Sequence, residues 1–223
     1  MKIATWNIEG LKKNKNEQVR AKIKEIDADI FVLTETSKEI SLDNYSSHSS
    51  SLLEKGYEGI NYKDAENRTT IWSKFPITNT FETYDNNTTT CVELQTTYGN
   101  LIVYGTIIGV FANRQPKFDN DLNGQVEDFK KIFPNKQVAI IGDFNIIFKG
   151  FAYPSHKARE KMNEVFTEHK LTITTTEIEN NIDHIVISDD FLKDKTTEIS
   201  IWNEDKILSD HIGVCLTLKK ITE

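Results

Sequence analysis

One stretch limits the fold more than any other: Val138-Ala139-Ile140-Ile141-Gly142, followed at once by Asp143-Phe144-Asn145. Apolar and small residues fill both alternations of the run, so it reads as a strand buried on both faces, with cover needed above and below. It stops at a glycine, with a carboxylate and a carboxamide just beyond. Asp143 and Asn145, one residue apart on a strand, point the same way, and both need partners if buried. A metal ion, a phosphate or an Asx-type turn would each supply them, and the tetrapeptide alone weighs these readings equally.

Other strand ends repeat the pattern. Lys2-Ile3-Ala4-Thr5-Trp6-Asn7 predicts a short strand ending in Asn7, and residues 29–35 an apolar strand ending in Glu35. Asp183-His184 opens another strand, and Asp210-His211 opens the last. Independent turn signals rarely choose only metal and phosphate ligands, so the ends together point to an active site built on strand termini. Between the first two strands, residues 17–26 carry apolar side chains at helical spacing. A strand-helix-strand unit with parallel strands follows, which brings Asn7 and Glu35 to one edge.

The rest of the chain reads as alternating strands and connectors. Residues 37–56 are less regular, and Ser46 to Ser51 reads as a solvated loop or short helix cap with His48 exposed. Runs at 69–73, 77–84, 89–96 and 101–105, separated by turn residues, predict an antiparallel meander. Helices are expected over 121–133 and from a serine N-cap at Ser155 to His169. The loop at 107–117 carries Asn113 and Arg114, and residues 148–153 interleave Phe148, Lys149, Phe151 and Tyr153, a rim that stacks a base or simply anchors a loop. Parallel units with a meander between them suggest two packed sheets with helices outside.

Composition narrows the class. A chain of 223 residues fits one domain, 1–223, with a large core. With 27 Lys plus Arg against 34 Asp plus Glu, the net charge of −7 gives no global positive field for nucleic acid, so a polyanionic substrate must be held locally. A divalent ion in the site would neutralise part of that acidity. Cys91 and Cys215 lie in strand-like runs and read as free buried residues, which suits a reducing compartment. No apolar run approaches the ~18 residues of a membrane span and no leader is visible, so a cytoplasmic location is expected. Zinc-ligand spacing, a Ser-His-Asp nucleophile set and a phosphate-cradling glycine loop are not evident; His184 reads as a structural histidine.

Taken together, Thr5-Trp6-Asn7, Thr34-Glu35, Gly142-Asp143-Phe144-Asn145, Ile182-Asp183-His184-Ile185 and Ser209-Asp210-His211 resemble, in order, the motifs of the endonuclease/exonuclease/phosphatase superfamily of metal-dependent phosphoesterases. The piece from Arg68 to Ile77 is similar to the family's strand before its proline turn. The resemblance implies a four-layered α/β sandwich, two mixed β-sheets packed face to face with helices outside.

It also implies roles. Glu35 is the first candidate to hold Mg²⁺ or Mn²⁺, with Asp210 and Asn7 as further ligands, since hard oxygens suit those ions. Asp143 would orient or deprotonate the attacking water, or act on the leaving group. Asn145 would hydrogen-bond the scissile phosphate, with Asn7 touching it too. His211 would donate to a phosphoryl oxygen, its other nitrogen fixed by Asp183. Family members commonly place a His or Tyr where this chain has Ile107; Tyr104 or the pair Asn113 and Arg114 are the candidates to replace that contact. The expected activity is a nuclease-type phosphodiesterase on DNA or RNA. A small phosphorylated molecule or lipid headgroup is the alternative substrate, and a catalytically silent binding domain the third reading.

Overall fold

The computed structural model describes residues 1–10, 14–109 and 115–221. Strand β1 (Lys2–Asn7) and strand β2 (Ile30–Ser37) pair in parallel, Ile3 opposite Ile30 and Asn7 opposite Thr34. Helix α1 (Asn16–Ile26) makes the crossover, burying Val19 and Ile23 against the sheet. It ends where Asp27 turns left-handed and its N–H closes onto the Ile23 carbonyl.

Two six-stranded sheets form. The first runs in the order β11 (Lys195–Trp202), β12 (Gly213–Lys220), β1, β2, β4 (Glu66–Ser73), β3 (Ser46–Ser49). The second runs β5 (Ile77–Phe81), β6 (Thr90–Thr96), β7 (Gly99–Ile107), β8 (Val138–Asp143), β10 (Asp183–Ser188), β9 (Leu171–Ile173). Each sheet is mixed, with one parallel pair apiece: β1 with β2, and β7 with β8. The remaining helices are α2 (Lys117–Ile132), α3 (His156–Glu168) and the short α4 (Asp189–Leu192).

Burial sorts these elements into four layers. Ile3, Val32 and Ile71 from the first sheet meet Val103, Ile141 and Ile185 from the second in a shared inner core. Outside the second sheet, Tyr104, Ile140 and Phe144 pack with Phe118 and Phe129 of α2 and Met162 and Phe166 of α3. Outside the first, Trp6, Phe31 and Trp202 pack with Val19 and Ile23 of α1. β8 shows why its sequence is apolar throughout: Val138 and Ile140 enter the outer core while Ala139 and Ile141 enter the inner one. The four-layered α/β sandwich implied by the motifs is the fold observed.

Two expectations are corrected. Ser46–Ser49 is not a loop but the edge strand β3, antiparallel to β4, and His48 is half-buried with Nδ1 2.5 Å from the Thr90 hydroxyl. An edge strand draws its stability from one ladder of backbone bonds, so it needs no apolar periodicity. The predicted four-strand meander loses its first member. β4 pairs with β2 and β3 in the first sheet, and only β5, β6 and β7 form the meander. The chain changes sheets at Lys74-Phe75-Pro76, and a turn signal shows where a strand stops without showing which sheet the next one joins.

Cys91 and Cys215 are buried and unpaired, as expected. Ser155 caps α3 by accepting the Ala158 N–H at 3.1 Å. No helix among the described residues is long and apolar enough to cross a membrane.

Candidate active site

Because the two sheets face each other, the ends of β1, β8 and β10 lie together at one edge. Asn7 closes β1, and its Nδ2 donates to Asp143 Oδ2 at 3.1 Å. Asp143 closes β8 and stands directly opposite Asp183, the first residue of β10. Asp183 Oδ2 lies 2.6 Å from Nδ1 of His211, in the loop before β12. One residue from the first sheet, two from the second and one from the last loop thus form a continuous polar chain across the sandwich.

Local backbone chemistry sets each position. Gly142 has φ of 141°, and a Cβ there would sit 2.0 Å from the Thr106 carbonyl oxygen on β7, so only glycine lets β8 run this close to its neighbour. Asn145 is left-handed at φ 50°, and its N–H donates to Asp143 Oδ1 at 2.9 Å. The Asx-turn reading of Gly142 to Asn145 holds, and it does not exhaust the carboxylate: one oxygen closes the turn, and the other accepts from Asn7. Asn145 Nδ2 donates to the Ile108 carbonyl at 3.0 Å, which leaves its second N–H free of that bond. Asn7 Oδ1 accepts the Glu9 N–H at 3.0 Å and keeps a second lone pair.

The His211 loop is tied to β1. Ser209 donates to the Asn7 carbonyl at 2.6 Å and accepts the His211 N–H at 3.2 Å, while Trp6 Nε1 donates to the His211 carbonyl at 3.1 Å. Ser209 belonged to a recognised motif without a role; its role is to fix the distance between Asn7 and His211.

Electrostatics follow from burial. Asp143 is pushed up to about 7, first by desolvation, then by the Asp183 and Glu35 carboxylates against the pull of His211. Burial alone would strip the proton from His211, but the Asp183 carboxylate, its hydrogen bond and the charges of Asp143 and Asp210 raise it to about 10. The ring is an imidazolium with Nδ1–H on Asp183 and Nε2–H directed elsewhere, 3.9 Å from exposed Asp210. Asp183 keeps its other oxygen buried with no hydrogen-bond partner among the described residues.

Carboxylate oxygens of Asp143 and Asp183 and a ring nitrogen of His211 all lie within 4.8 Å of one another, and with the ring protonated the carboxylate oxygens are the ones open to a cation. A divalent cation fits this edge: the donors are mainly hard carboxylate oxygens, one is buried without a partner, and crowded like charges need a counter-ion. Glu35, half-buried at φ 43°, acts on Asp143 through its charge, and Asp210 borders the cluster through His211. Of the ligands read from the sequence, Asn7 is hydrogen-bonded to Asp143, while Glu35 and Asp210 bear on the cluster through their charges.

The outer contacts divide. Tyr153 is half-buried, and burial first, then the nearby Asp143 charge, raises its pKa above the ordinary value. Asn113 and Arg114 lie outside the described residues. Ile107, fully buried, ends β7 opposite Asp143. Tyr104 does not replace the missing contact there: it sits in the outer core, its hydroxyl donating to Asp128 of α2 at 2.7 Å. The residue that sequence reading passed over is Arg68. It is buried, donates to Tyr62 Oη at 3.2 Å and to the Gly109 carbonyl at 2.9 Å, and keeps its charge because Glu35, Tyr62 and Asp143 outweigh desolvation. The available signal was an arginine at the head of the strand run Thr69-Thr70-Ile71-Trp72.

His184 faces away from this edge, as expected. Its Nε2 lies 2.9 Å from the Ile146 carbonyl, its Nδ1 2.8 Å from Thr175 Oγ1, and Phe148 packs against the ring at 4.8 Å.

Comparison with known proteins agrees with this fold. The sequence profile of the Endonuclease/Exonuclease/phosphatase family matches residues 4–211. Among solved structures, an endonuclease/exonuclease/phosphatase from Beutenbergia cavernae DSM 12333 superposes with a TM-score of 0.71 at 15% identity, over 99% of this chain and 71% of its own. The endonuclease domain of TRAS1, a telomere-specific non-LTR retrotransposon, gives 0.72 at 14% identity over 99% of each chain. The 3′ phosphatase NExo from Neisseria, solved with a product DNA hairpin, gives 0.70 at 15% identity over 98% of this chain and 99% of its own. No curated protein sequence matches. With the strand-end residues in family order and the profile spanning nearly the whole chain, this protein belongs to the endonuclease/exonuclease/phosphatase family of phosphoester-hydrolysing enzymes.

Proposed function

We propose that the protein is a divalent-metal-dependent phosphodiesterase that hydrolyses nucleic-acid backbones by in-line attack of water. The observation that carries this reading is the Asp183–His211 pair at 2.6 Å, set beside Asp143 and Asn7 at a buried strand edge. A diester must have charge neutralised on its non-bridging oxygens, a water held in line and a leaving oxygen protonated. His211, charged and oriented by Asp183, donates Nε2–H to a phosphoryl oxygen. Asn145, turned toward the edge by its left-handed backbone, offers its remaining N–H to the same phosphate. Asp143 lies between them, fixed by Asn7 and by its own turn, and orients the water or handles the leaving group's proton. Held by Glu35, Asp210 and Asn7, with the carboxylates of Asp143 and Asp183 beside them, Mg²⁺ or Mn²⁺ would supply the further positive charge.

The nucleic-acid assignment draws support from the TRAS1 endonuclease domain and from NExo, solved with a DNA hairpin, which share the fold. A small phosphorylated molecule or lipid headgroup is the second reading, favoured by the net charge of −7. The inner core shared by both sheets supports one domain over 1–223, and two buried unpaired thiols support a reducing, cytoplasmic compartment. The test is end-labelled DNA and RNA oligonucleotides with Mg²⁺, Mn²⁺ or EDTA. Metal-dependent shortening of the labelled strand is expected. Phosphate release from monoesters with intact oligonucleotides would replace this reading with the second.

A further inference from the structure

Beside Glu35, on the side away from His211's loop, β2 and β4 and the segment before β4 enclose a cavity of about 210 Å³. Its floor is polar and buried: Thr36 and Asn67, opposite each other across β2 and β4 and each 1% exposed, together with Arg68. Two floor atoms, Thr36 Oγ1 and Asn67 Oδ1, are buried with no hydrogen-bond partner among the described residues. The orientation of the Asn67 amide is fixed, because its nitrogen donates to the Thr69 carbonyl at 2.9 Å and to Thr70 Oγ1 at 2.8 Å, so the unpartnered atom is an acceptor. Such atoms are costly to leave unmade and call for a partner.

We propose that this cavity is a binding subsite for the hydroxyl-bearing ring attached to the scissile phosphate, a ribose in RNA or the ring of a free sugar phosphate. The inference rests on the phosphoester reading of the site at Glu35 and names its substrate class. The lining selects a neutral group that both donates and accepts. A cationic amine would meet Arg68, and an anion would meet the carboxylates of Glu9, Glu35 and Glu66, which also border the space. Hydroxyls satisfy both kinds of neighbour: they donate to Asn67 Oδ1, exchange with Thr36, and accept from Tyr62, whose own proton remains available because its oxygen already accepts from Arg68. A single water needs about 10–15 Å³ of such space, so the volume suits a multi-atom group. The rim at Asn61 is exposed, which opens the cavity to solvent.

The test compares wild type with Thr36→Val, which removes the hydroxyl and keeps the β-branched strand shape. Matched RNA and DNA oligonucleotides give one arm. Ribose 5-phosphate against 2-deoxyribose 5-phosphate, each as inhibitor and as substrate, gives the other and separates polymer from free sugar phosphate. At least a 10-fold preference for the hydroxylated member in kcat/KM or in inhibition is expected in one arm, since a site built to bond a hydroxyl rejects the analogue lacking it. In Thr36→Val that preference falls several-fold, carried by KM. Bis(p-nitrophenyl) phosphate, which has no sugar, is measured with wild type in Mg²⁺ or Mn²⁺. Its cleavage without any hydroxyl preference, or with a preference unchanged in Thr36→Val, overturns the subsite and leaves the phosphoesterase reading standing. Failure on this diester and on every sugar substrate overturns both.

Discussion

At the scale of single residues, the proposed mechanism divides the atoms of each side chain between structure and chemistry. Asp143 gives one oxygen to its own turn and the other to Asn7; His211 gives one nitrogen to Asp183 and retains the other as a charged donor. The substitution His211→Asn separates these uses, because an asparagine amide nitrogen stands where Nδ1 does and still meets Asp183, while the charge and Nε2–H are gone. We expect kcat to fall about 10²–10⁴-fold with a melting temperature close to wild type, measured by steady-state hydrolysis and thermal denaturation. His184 shows the opposite case of an imidazole used only for structure. Its Nε2 must be protonated to meet the Ile146 carbonyl, so Nδ1 accepts from Thr175, and burial lowers its pKa from the ordinary 6.5 to about 4. The unfolded chain therefore binds the proton first. The stabilisation is complete above pH 6.5 and is lost as pH falls toward 4, about 3 kcal/mol over the interval at ~1.4 kcal/mol per unit. Asp143 and Asp121, raised to about 7 by burial, push the other way over the same range, so the test is a difference: between pH 7 and pH 4.5, wild type should lose about 3 kcal/mol more stability in urea unfolding than His184→Gln does; equal changes in the two proteins would remove His184 as a source.

At the scale of elements, β8 joins fold and function. Its alternating residues fill two cores, and its final glycine lets it approach β7 while delivering Asp143 to the edge. Gly142→Ala must push a methyl group into the Thr106 carbonyl at φ 141°, so a stability loss of about 3 kcal/mol or more is expected in urea unfolding, with activity falling alongside. A loss below 1 kcal/mol would mean that β8 has room to shift. Elements whose signals are local were legible in the sequence: α1 and α2 from apolar spacing, α3 from its Ser155 cap, β1, β2, β8 and β10 from apolar runs ending in polar pairs. The edge strand β3 was not, because Ser46–Ser49 has no apolar face. Nor was the departure of β4 to the first sheet, because pairing partners depend on contacts distant in sequence. The same limit hid Arg68, whose meaning comes from Gly109 and Tyr62 lying against it, whereas Asn7, Asp143, Asp183 and His211 stood out because polar residues at the ends of buried strands carry their own anomaly.

At the scale of the whole molecule, neither sheet alone makes the site. The first brings Asn7, Glu35 and, through the loop before β12, His211; the second brings Asp143 and Asp183; the inner core holds their edges together. Crossing that gap are two short contacts, Asn7 to Asp143 and His211 to Asp183. The central claim is that this shared edge hydrolyses phosphodiesters with a divalent ion. The most direct measurement is hydrolysis of bis(p-nitrophenyl) phosphate by wild type and Asp143→Ala, in Mg²⁺, Mn²⁺ and EDTA, with circular dichroism confirming that both are folded. The account predicts turnover by wild type only with metal, and its loss by at least about 10²-fold in the folded variant. Turnover that survives EDTA, or a folded Asp143→Ala protein that matches wild type, would contradict it.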